Sequence, residues 1–334
     1  MDDVLDWRIA LGRLLEEEGY ELELVADHLE AKKLLERRFF HLLILDLQIE
    51  NEGVAELKGV QLLRSLFDEG LVNATSVIVL SGIPDQEPTR QVFRLAAVDF
   101  VPKKEYDRNQ FLELVKTTLH EKIRFNPFLT IRFSNADSNI SRMTKGLLVG
   151  GERIKKDSPL FPEVVNEFED LICRLFHTAD GVLLNPLSAG GSGAVVFMAT
   201  PSFSAGIGNA EIVKIGDYRQ IDAEFRNYER FVAHFLGGGR NTSVVGMRRS
   251  LRLGGIIYSL LGRSGERVEN FKAYFSHANV QDIVGLVRKL VFETCGQWYA
   301  NKGILRMVDI ADEYRLKLNF STERASRAIQ ESMK

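Results

Sequence analysis

The stretch Leu42-Leu43-Ile44-Leu45-Asp46 decides the fold of the first part of the chain. Four apolar residues run directly into one carboxylate. A short apolar run of this kind is typical of a strand that is buried on both faces of a parallel sheet. Open α/β sheets bind their ligands at the carboxyl ends of the strands, where Asp46 is then expected to lie. A buried carboxylate needs a cation or hydrogen-bond donors, so other residues are expected to converge on Asp46.

Strand and helix patterns alternate on either side of this stretch. Residues 21–25 alternate in polarity like a strand, and residues 76–80 and 98–101 are further short apolar runs. The segments between them carry apolar residues at helical spacing. This alternation predicts right-handed βαβ units and a doubly wound parallel sheet, with residues 1–123 as one α/β domain.

The residues at the predicted strand ends form a chemically coherent set. They are Asp2, Asp3, Asp46, Ser81 and Lys103. Three carboxylates provide the oxygen ligands that Mg²⁺ prefers, and the cation offsets their mutual repulsion. A hydroxyl and an ammonium beside an aspartate can bind the oxygens of a phosphoryl group placed on it, and aspartate is a known nucleophile for phosphoryl groups.

Residues 1–123 resemble the receiver domain of a two-component response regulator. The resemblance is carried, in the family's order, by the acidic pair Asp2 and Asp3, the phosphoacceptor Asp46, the strand-end Ser81, the switch aromatic Phe100 and the strand-end Lys103. It implies a flavodoxin-like fold, Mg²⁺ held by Asp2, Asp3 and Asp46, and phosphorelay signalling in a bacterial cytoplasm. The implied partners are a sensor histidine kinase and, through the receiver, a second copy of the chain.

Three departures from the family pattern leave two functions open. Only Met1 precedes the acidic pair, where the family has a short apolar strand; the stretch from Asp46 to Gly59 is longer than usual; and Lys104 stands where a proline is common. Either the true start lies upstream of Met1, or this internal strand is missing and its neighbours are left unpaired. The protein is therefore either a working phosphoacceptor or a scaffold with a degenerate receiver.

The second informative stretch begins at residue 181. We interpret residues 124–180 as a connector with a strand and a helix, and residues 181–334 as an α+β domain. A strand at 181–187 leads into the glycine-rich turn Gly190-Gly191-Ser192-Gly193, followed by strands at 195–198 and 211–215. Glycines at such a turn allow the backbone to approach a phosphate closely.

Lys214 on the third strand and Glu224 on the following helix complete this pattern. A strand lysine can reach the same phosphates, and a helix carboxylate can hold it in place; Glu229 is a second candidate for that carboxylate. The region resembles the small lobe of a protein-kinase-like or aminoglycoside-phosphotransferase-like fold, which implies ATP as a ligand. The alternative is an ordinary hairpin turn beside a surface lysine and a solvated glutamate.

The resemblance to phosphotransferases is incomplete. A catalytic-loop aspartate in the His-x-Asp context is absent, because His277 is followed by Ala278 and Asn279. Asp309 and Asp312 lack the context of a metal-binding aspartate. Phosphotransferase activity is therefore not expected from this chain. A nucleotide-binding remnant, an interaction module and the front of a truncated enzyme remain open.

Composition excludes several other classes of protein. The 334 residues carry a net charge of −3, with 45% hydrophobic and 27% charged residues, as in an ordinary globular protein. The two cysteines, Cys173 and Cys295, match no metal or redox spacing. There is no basic recognition helix and no apolar run near the about 20 residues of a membrane span. We therefore expect a cytoplasmic protein without nucleic acid or membrane partners.

Overall fold

A three-stranded parallel sheet lies at the centre of the N-terminal part of the chain. The protein is described by a computed structural model, which covers residues 1–47, 58–82, 86–187, 192–236, 243–260 and 271–296. The N-terminal elements are, in chain order, α1 (Leu5–Glu17), α2 (His28–Arg37), β1 (Leu42–Leu45), α3 (Lys58–Asp68), β2 (Ser76–Ser81), α4 (Gln86–Arg94), β3 (Asp99–Pro102) and α5 (Arg108–Thr117), followed by a π-helical turn at Thr118–Ile123.

Helices cover both faces of this sheet, whose strand order is β1-β2-β3. On one face, α1 and α5 pack against Ile78 and Leu80 of β2. On the other face, α2, α3 and α4 pack against Val77 and Val79 of the same strand. Successive residues of β2 thus point into two different cores, which is why the strand is apolar along its whole length. The predicted α/β layering of this domain is confirmed.

Local sequence signals set the ends of several helices. The carboxylate of Asp27 accepts hydrogen bonds from the first backbone N–H groups of α2, and Asp107 does the same for α5. These bonds satisfy donors that the helix itself leaves without partners. Gly19, with a φ of 83°, follows α1 and takes the left-handed conformation that favours glycine at a helix end.

The strand predicted at residues 21–25 is wrong. These residues form no ladder, and their contact with the start of the chain is a single hydrogen bond from the Asp2 N–H to the Val25 carbonyl, 3.1 Å long. On the other side, Met1 pairs with β1: its amino group donates to Ile44 at 2.8 Å, and the Asp46 N–H donates to the Met1 carbonyl at 3.1 Å. Alternating polarity alone therefore does not make residues 21–25 a strand, because a strand also needs a paired neighbour along its length. A groove of about 120 Å³ separates those residues from β1.

A second sheet organises the rest of the large unit. Its elements are β4 (Thr130–Phe133), α6 (Ile140–Thr144), the two-residue strands β5 (Leu148–Val149) and β6 (Glu152–Arg153), α7 (Phe161–Leu175), β7 (Gly181–Pro186), β8 (Val195–Phe203), β9 (Gly206–Ile207), β10 (Glu211–Asp217), α8 (Tyr218–Phe231), α9 (Ala233–Leu236), β11 (Val244–Arg249) and β12 (Leu253–Ser259). The strand order is β11-β12-β10-β8-β7-β4, with β9 beside β8. Only the β4–β7 pair of this sheet is parallel.

Residues 124–180 contribute directly to this second core. β4 pairs with β7, and Phe168 and Leu171 of α7 are fully buried against the sheet. Phe168 meets Phe197 of β8 with ring centroids 6.2 Å apart. The segment interpreted as a connector therefore supplies both an edge strand and a central helix of the second domain.

Residues 269–334 form a separate compact unit. Its described part contains α10 (Phe271–His277), α11 (Val280–Arg288) and a π-helical turn at Lys289–Thr294. Asp309 and Asp312 lie outside the described residues. In the part of the chain that the structure describes, no helix combines the length and apolar character needed to cross a membrane.

Candidate functional site

Asp46 directly follows β1, at the carboxyl end of the parallel sheet. Its side chain is 3% exposed. Helix α3 begins beside it, and Gly59 is in very close contact: a Cβ at that position would lie 2.3 Å from the Asp46 carbonyl and 2.6 Å from the Leu47 Cα. The first turn of α3 thus packs directly against the backbone that carries Asp46.

Three carboxylates converge at this strand end. Asp2, Asp3 and Asp46 each bring an oxygen to within 4.8 Å of the others. The Val4 N–H donates to the Asp2 carboxylate at 3.0 Å and orients it. Burial raises the pKa of Asp2, and the nearby Asp46 carboxylate raises it further, against the lowering effect of Lys103. A set of clustered carboxylate oxygens fits one hard divalent cation such as Mg²⁺.

Lys103 joins two of these carboxylates. Its ammonium lies 2.6 Å from Asp46 and 2.8 Å from Asp2, and its side chain is 11% exposed. Burial alone would lower the pKa of Lys103, but its hydrogen bonds to Asp2 and Asp46 outweigh that effect and raise it. The lysine is therefore held as a cation between the Asp2 and Asp46 carboxylates.

Ser81 and Phe100 lie on the neighbouring strands. Ser81 ends β2, is fully buried, and stands opposite Pro102 of β3 in the parallel register. Phe100, opposite Val79, is partly buried against the core formed by α2, α3 and α4. The structure therefore brings Ser81 to the strand end that carries Asp46 and Lys103, and places the aromatic residue two positions further back along the neighbouring strand.

Two residues of α1 surround the site without having been predicted there. Lys103 lies 5.3 Å from the centre of the Trp7 ring, which is close enough for a cation–π contact. Arg8 donates to the Asp2 carbonyl at 2.6 Å and anchors the acidic turn. Trp7 follows the acidic pair by about one helical turn, and this spacing is the sequence signal that could have placed it beside the site.

The predicted pair in the second domain is present. The Lys214 ammonium lies 2.5 Å from the Glu224 carboxylate, and Tyr258 of β12 donates to the other oxygen of Glu224. Burial raises the pKa of Tyr258, and its hydrogen bond to Glu224 adds to the effect. Glu229, the alternative partner, forms no ion pair with a described residue.

The glycine-rich turn is described only in part. Gly190 and Gly191 lie outside the described residues. Ser192 is exposed, and Gly193 has a φ of 73°, with its Cβ position 2.5 Å from the Leu148 side chain. Lys214 stands opposite Val196 in the β8–β10 register, so it lies beside the strand that leaves this turn.

Helix α7 connects the two sheets of the large unit through buried charges. Glu167 accepts hydrogen bonds from Arg252 at 2.6 Å and from the Ser250 hydroxyl at 2.7 Å, and Arg252 also donates to the Arg37 carbonyl at the end of α2. One turn later, Asp170 meets His41, which immediately precedes β1, at 2.5 Å. Strand β1, which ends next to Asp46, is thus tied to the second domain at its opposite end.

Two family models match separate parts of the chain. Residues 1–116 match the model described as response regulator receiver domain, and residues 179–317 match the model described as Ternary complex associated domain 9. The kinase-like nature of the second region is not confirmed; the matching family there is the ternary complex associated domain. Receiver domains typically bind Mg²⁺ at their acidic pocket and interact with a histidine kinase.

Solved receiver domains are also similar to the N-terminal part. A CheY-like receiver protein from Methanospirillum hungatei JF-1 is 25% identical over 36% of this chain and 90% of its own, with a TM-score of 0.32. A response regulator from Thermotoga maritima is 25% identical over 36% and 94%, with a TM-score of 0.31. The receiver domain of NtrX from Brucella abortus is 22% identical over 36% and 95%, with a TM-score of 0.32. The match of residues 1–116 to the receiver-domain family supports a response regulator receiver domain at the N-terminus, in agreement with the parallel sheet found there.

Proposed function

We propose that the protein is a phosphorelay response regulator that accepts a phosphoryl group on Asp46 from a sensor histidine kinase. The convergence of three carboxylates and one lysine at the end of β1 is the observation that supports this proposal. Asp2, Asp3 and Asp46 would hold Mg²⁺, which supplies charge neutralisation for the transferred group. Ser81 and Lys103 would bind its remaining oxygens.

The buried position of Asp46 suits this chemistry. A carboxylate oxygen attacks phosphorus, the P–N bond to the kinase histidine breaks, and the imidazole keeps the electron pair of that bond. Lys103 already holds the Asp46 carboxylate at 2.6 Å, so a donor is positioned for the charge that moves onto the product. Little side-chain rearrangement is then needed when the group arrives.

Phosphorylation would change the balance of charges in the Asp46 crevice, the space that Asp2, Asp3, Asp46, Ser81 and Lys103 surround. The new phosphoryl oxygens compete with Asp2 for Lys103, and Ser81 gains an acceptor. Lys103 directly follows β3, and Phe100 lies within that strand. A movement of Lys103 would therefore shift Phe100 and its contacts with the core. The output is a shift between two populations of the receiver, read by the second domain.

The test is phosphorylation by acetyl phosphate with Mg²⁺, followed by intact-mass measurement. We expect a labile adduct of one phosphoryl group on the wild type and none on Asp46→Asn. Asp68→Asn is the matched control, because Asp68 is an exposed carboxylate at the end of α3. We expect this control to be modified like the wild type.

Absence of an adduct on the folded wild type would refute the phosphorelay function. The alternative function, a scaffold whose receiver is degenerate, would then explain the chain better. An equal adduct on Asp46→Asn and the wild type would instead show that another residue is modified. Circular dichroism of each variant ensures that the comparison is made between folded proteins.

A second candidate function, nucleotide binding by the second domain, is favoured by the Lys214–Glu224 pair. Lys214 would contact the phosphates of ATP, with Ser192 and Gly193 of the glycine-rich turn beside them. We expect Lys214→Met to weaken Mg-ATP binding in calorimetry at least tenfold, and the exposed Lys156→Met to leave it unchanged. Absence of heat with the wild type would exclude this function and leave the Asp46 proposal untouched.

A further inference from the structure

A polar cavity of about 440 Å³ lies where the receiver meets the second domain. The receiver contributes residues 72–74 and Ser76, at the end of the sheet opposite to Asp46. The second domain contributes helix and strand residues, among them Met247 at the middle of β11. The volume falls within the about 300–1,000 Å³ that is common for small-molecule sites.

The lining of this cavity carries an excess of positive charge. Its charged residues are Lys122, Arg174, Asp222, Arg226, Arg248 and Arg249. Two of the cations have carboxylate partners: Arg226 pairs with Asp222 and Arg174 with Asp170, each at 2.9 Å. Among the described residues, no carboxylate forms an ion pair with the other three.

Arg248 and Arg249 are the most informative of these three residues. The Nε atoms of both are buried and have no hydrogen-bond acceptor in the described part of the chain. Burial lowers the pKa of Arg248, and the neighbouring Arg124 and Arg174 lower it further. Burial also lowers the pKa of Arg249. Half-buried guanidinium groups are costly to keep without an anion, above all where neighbouring cations repel them, as at Arg248.

Both guanidinium groups are held in place by the protein. Arg248 donates to the Met247 carbonyl at 2.7 Å, and the Arg249 guanidinium lies 4.0 Å from the centre of the Tyr218 ring. Arginine presents a planar fork of donors that matches phosphate oxygens. The donors are therefore positioned before a ligand arrives, which lowers the entropy cost of binding.

We propose that this cavity binds a small anion that bears several phosphate groups, with Lys122, Arg248 and Arg249 as its principal ligands. Such an anion would neutralise the three cations that have no carboxylate partner. It would also contact the receiver and the second domain at once, so its binding would favour the arrangement in which the two are joined. The site is separate from the Asp46 crevice and from Lys214.

The test is titration of the full chain with tripolyphosphate in the presence of EDTA, followed by calorimetry and thermal unfolding. EDTA removes the divalent cation that the Asp46 crevice and Mg-ATP binding require. We expect wild-type binding and a rise of the unfolding midpoint with tripolyphosphate concentration. Arg248→Gln with Arg249→Gln is expected to weaken binding at least tenfold, whereas Arg13→Gln, an exposed arginine of α1, leaves it unchanged.

Two further ligands define the chemistry that is recognised. ATP in EDTA is expected to bind through the same residues, and its affinity relative to tripolyphosphate shows whether a nucleoside adds to recognition. Citrate, a trianion without phosphate, is expected to bind much more weakly. Absence of tripolyphosphate binding, equal binding by the Arg248→Gln/Arg249→Gln protein, or equal binding of citrate would each overturn the proposal.

Discussion

Gly59 shows how a single residue affects the packing around Asp46. It begins α3 against the Asp46 backbone, where an added Cβ would lie within 2.3 Å of a carbonyl oxygen. Backbone atoms cannot move aside as a flexible side chain can. The contact explains why a glycine is required here, at a position where a helix by itself would favour alanine.

We expect Gly59→Ala to lower the free energy of unfolding by about 1–3 kcal/mol, because α3 must move away from Asp46. Phosphorylation by acetyl phosphate should slow in the same variant. Gly285→Ala in α11 is the control, since nothing lies within 4 Å of its Cβ position. That variant should be neutral or stabilised by up to about 1 kcal/mol. Urea denaturation measures the free energy of unfolding of each variant. A Gly59→Ala protein as stable as the wild type would contradict the close contact.

Lys103 neutralises two buried carboxylates, so its removal should be costly. We expect Lys103→Met to lower the free energy of unfolding by about 3 kcal/mol near neutral pH, because Asp2 and Asp46 then repel each other. Mg²⁺ should raise the unfolding midpoint of this variant more than that of the wild type. The adjacent, exposed Lys104→Met should match the wild type. A variant as stable as the wild type would mean that Lys103 is not needed for charge balance.

The site residues illustrate what a sequence can reveal at this scale. Strand-end positions brought Asp2, Asp46 and Lys103 together correctly, because the ends of parallel strands meet at one edge. Their roles in phosphoryl transfer remain predictions. Trp7 and the close approach of Gly59 were missed, since both depend on how helices pack on the sheet. Lys214 and Glu224 were paired correctly from the order of strand and helix.

At the scale of elements, α7 is the main link between the two sheets of the large unit. Glu167 is 1% exposed and receives three hydrogen bonds, from the Ser250 hydroxyl and from the backbone and side chain of Arg252. A buried carboxylate is tolerated only while such donors surround it. The link therefore depends on Arg252, which also reaches α2 of the receiver.

We expect Arg252→Ala to lower the free energy of unfolding by about 3 kcal/mol, because Glu167 is left without its charged partner. Removing both members, in Glu167→Gln with Arg252→Ala, should restore part of the loss. Arg132→Ala on the exposed face of β4 is the control and should have little effect. Chemical denaturation distinguishes these outcomes; additive losses in the double variant would argue against the coupling.

Helices and strands were predicted well where the local sequence pattern determines them. They were predicted poorly where they depend on contacts with residues that are distant in sequence. The apolar runs of β1 and β2 and the capped helices α2 and α5 were visible in the sequence. Residues 21–25 alternate in polarity like a strand, yet they form no ladder, because strand pairing depends on distant residues as well as on local pattern. The contribution of residues 124–180 to the second core was equally hidden, because β4 pairs with a strand some fifty residues later.

At the scale of the whole molecule, the two cysteines are expected to differ in reactivity, and the reactivity of Cys173 reports on unfolding. Cys173 on α7 is 8% exposed, and burial raises its pKa to about 12, helped by the nearby Asp170. A thiol reacts as its thiolate, so Cys173 should be inert in the folded protein at about pH 8. Cys295 is partly exposed.

We therefore expect a thiol reagent at about pH 8 to modify Cys295 rapidly and Cys173 only after unfolding. The Cys295→Ser variant should show no rapid reaction, and the Cys173→Ser variant should react like the wild type. The rate at Cys173 should follow the unfolding transition as urea is added. Rapid labelling of Cys173 in the absence of urea would show that α7 is not packed as described.

The basic cavity could not have been predicted from the sequence, because it exists only at this scale. Lys122, Arg174 and Arg248 are far apart along the chain, and each is unremarkable in its own segment. The net charge of the whole chain does not indicate the cavity either, because the excess of positive charge is confined to its lining. Only the packing of the receiver against α7 and β11 brings them to one wall.

The position of Met1 has a practical consequence for handling the protein. Its amino group and carbonyl form hydrogen bonds with Ile44 and with the Asp46 N–H, and Met1 also lines the groove beside residues 21–25. A tag fused before Met1 would remove the amino group that donates to Ile44 and would add residues next to Asp2, one of the three clustered carboxylates. Phosphorylation and metal-binding measurements should therefore use protein that carries its purification tag at another position.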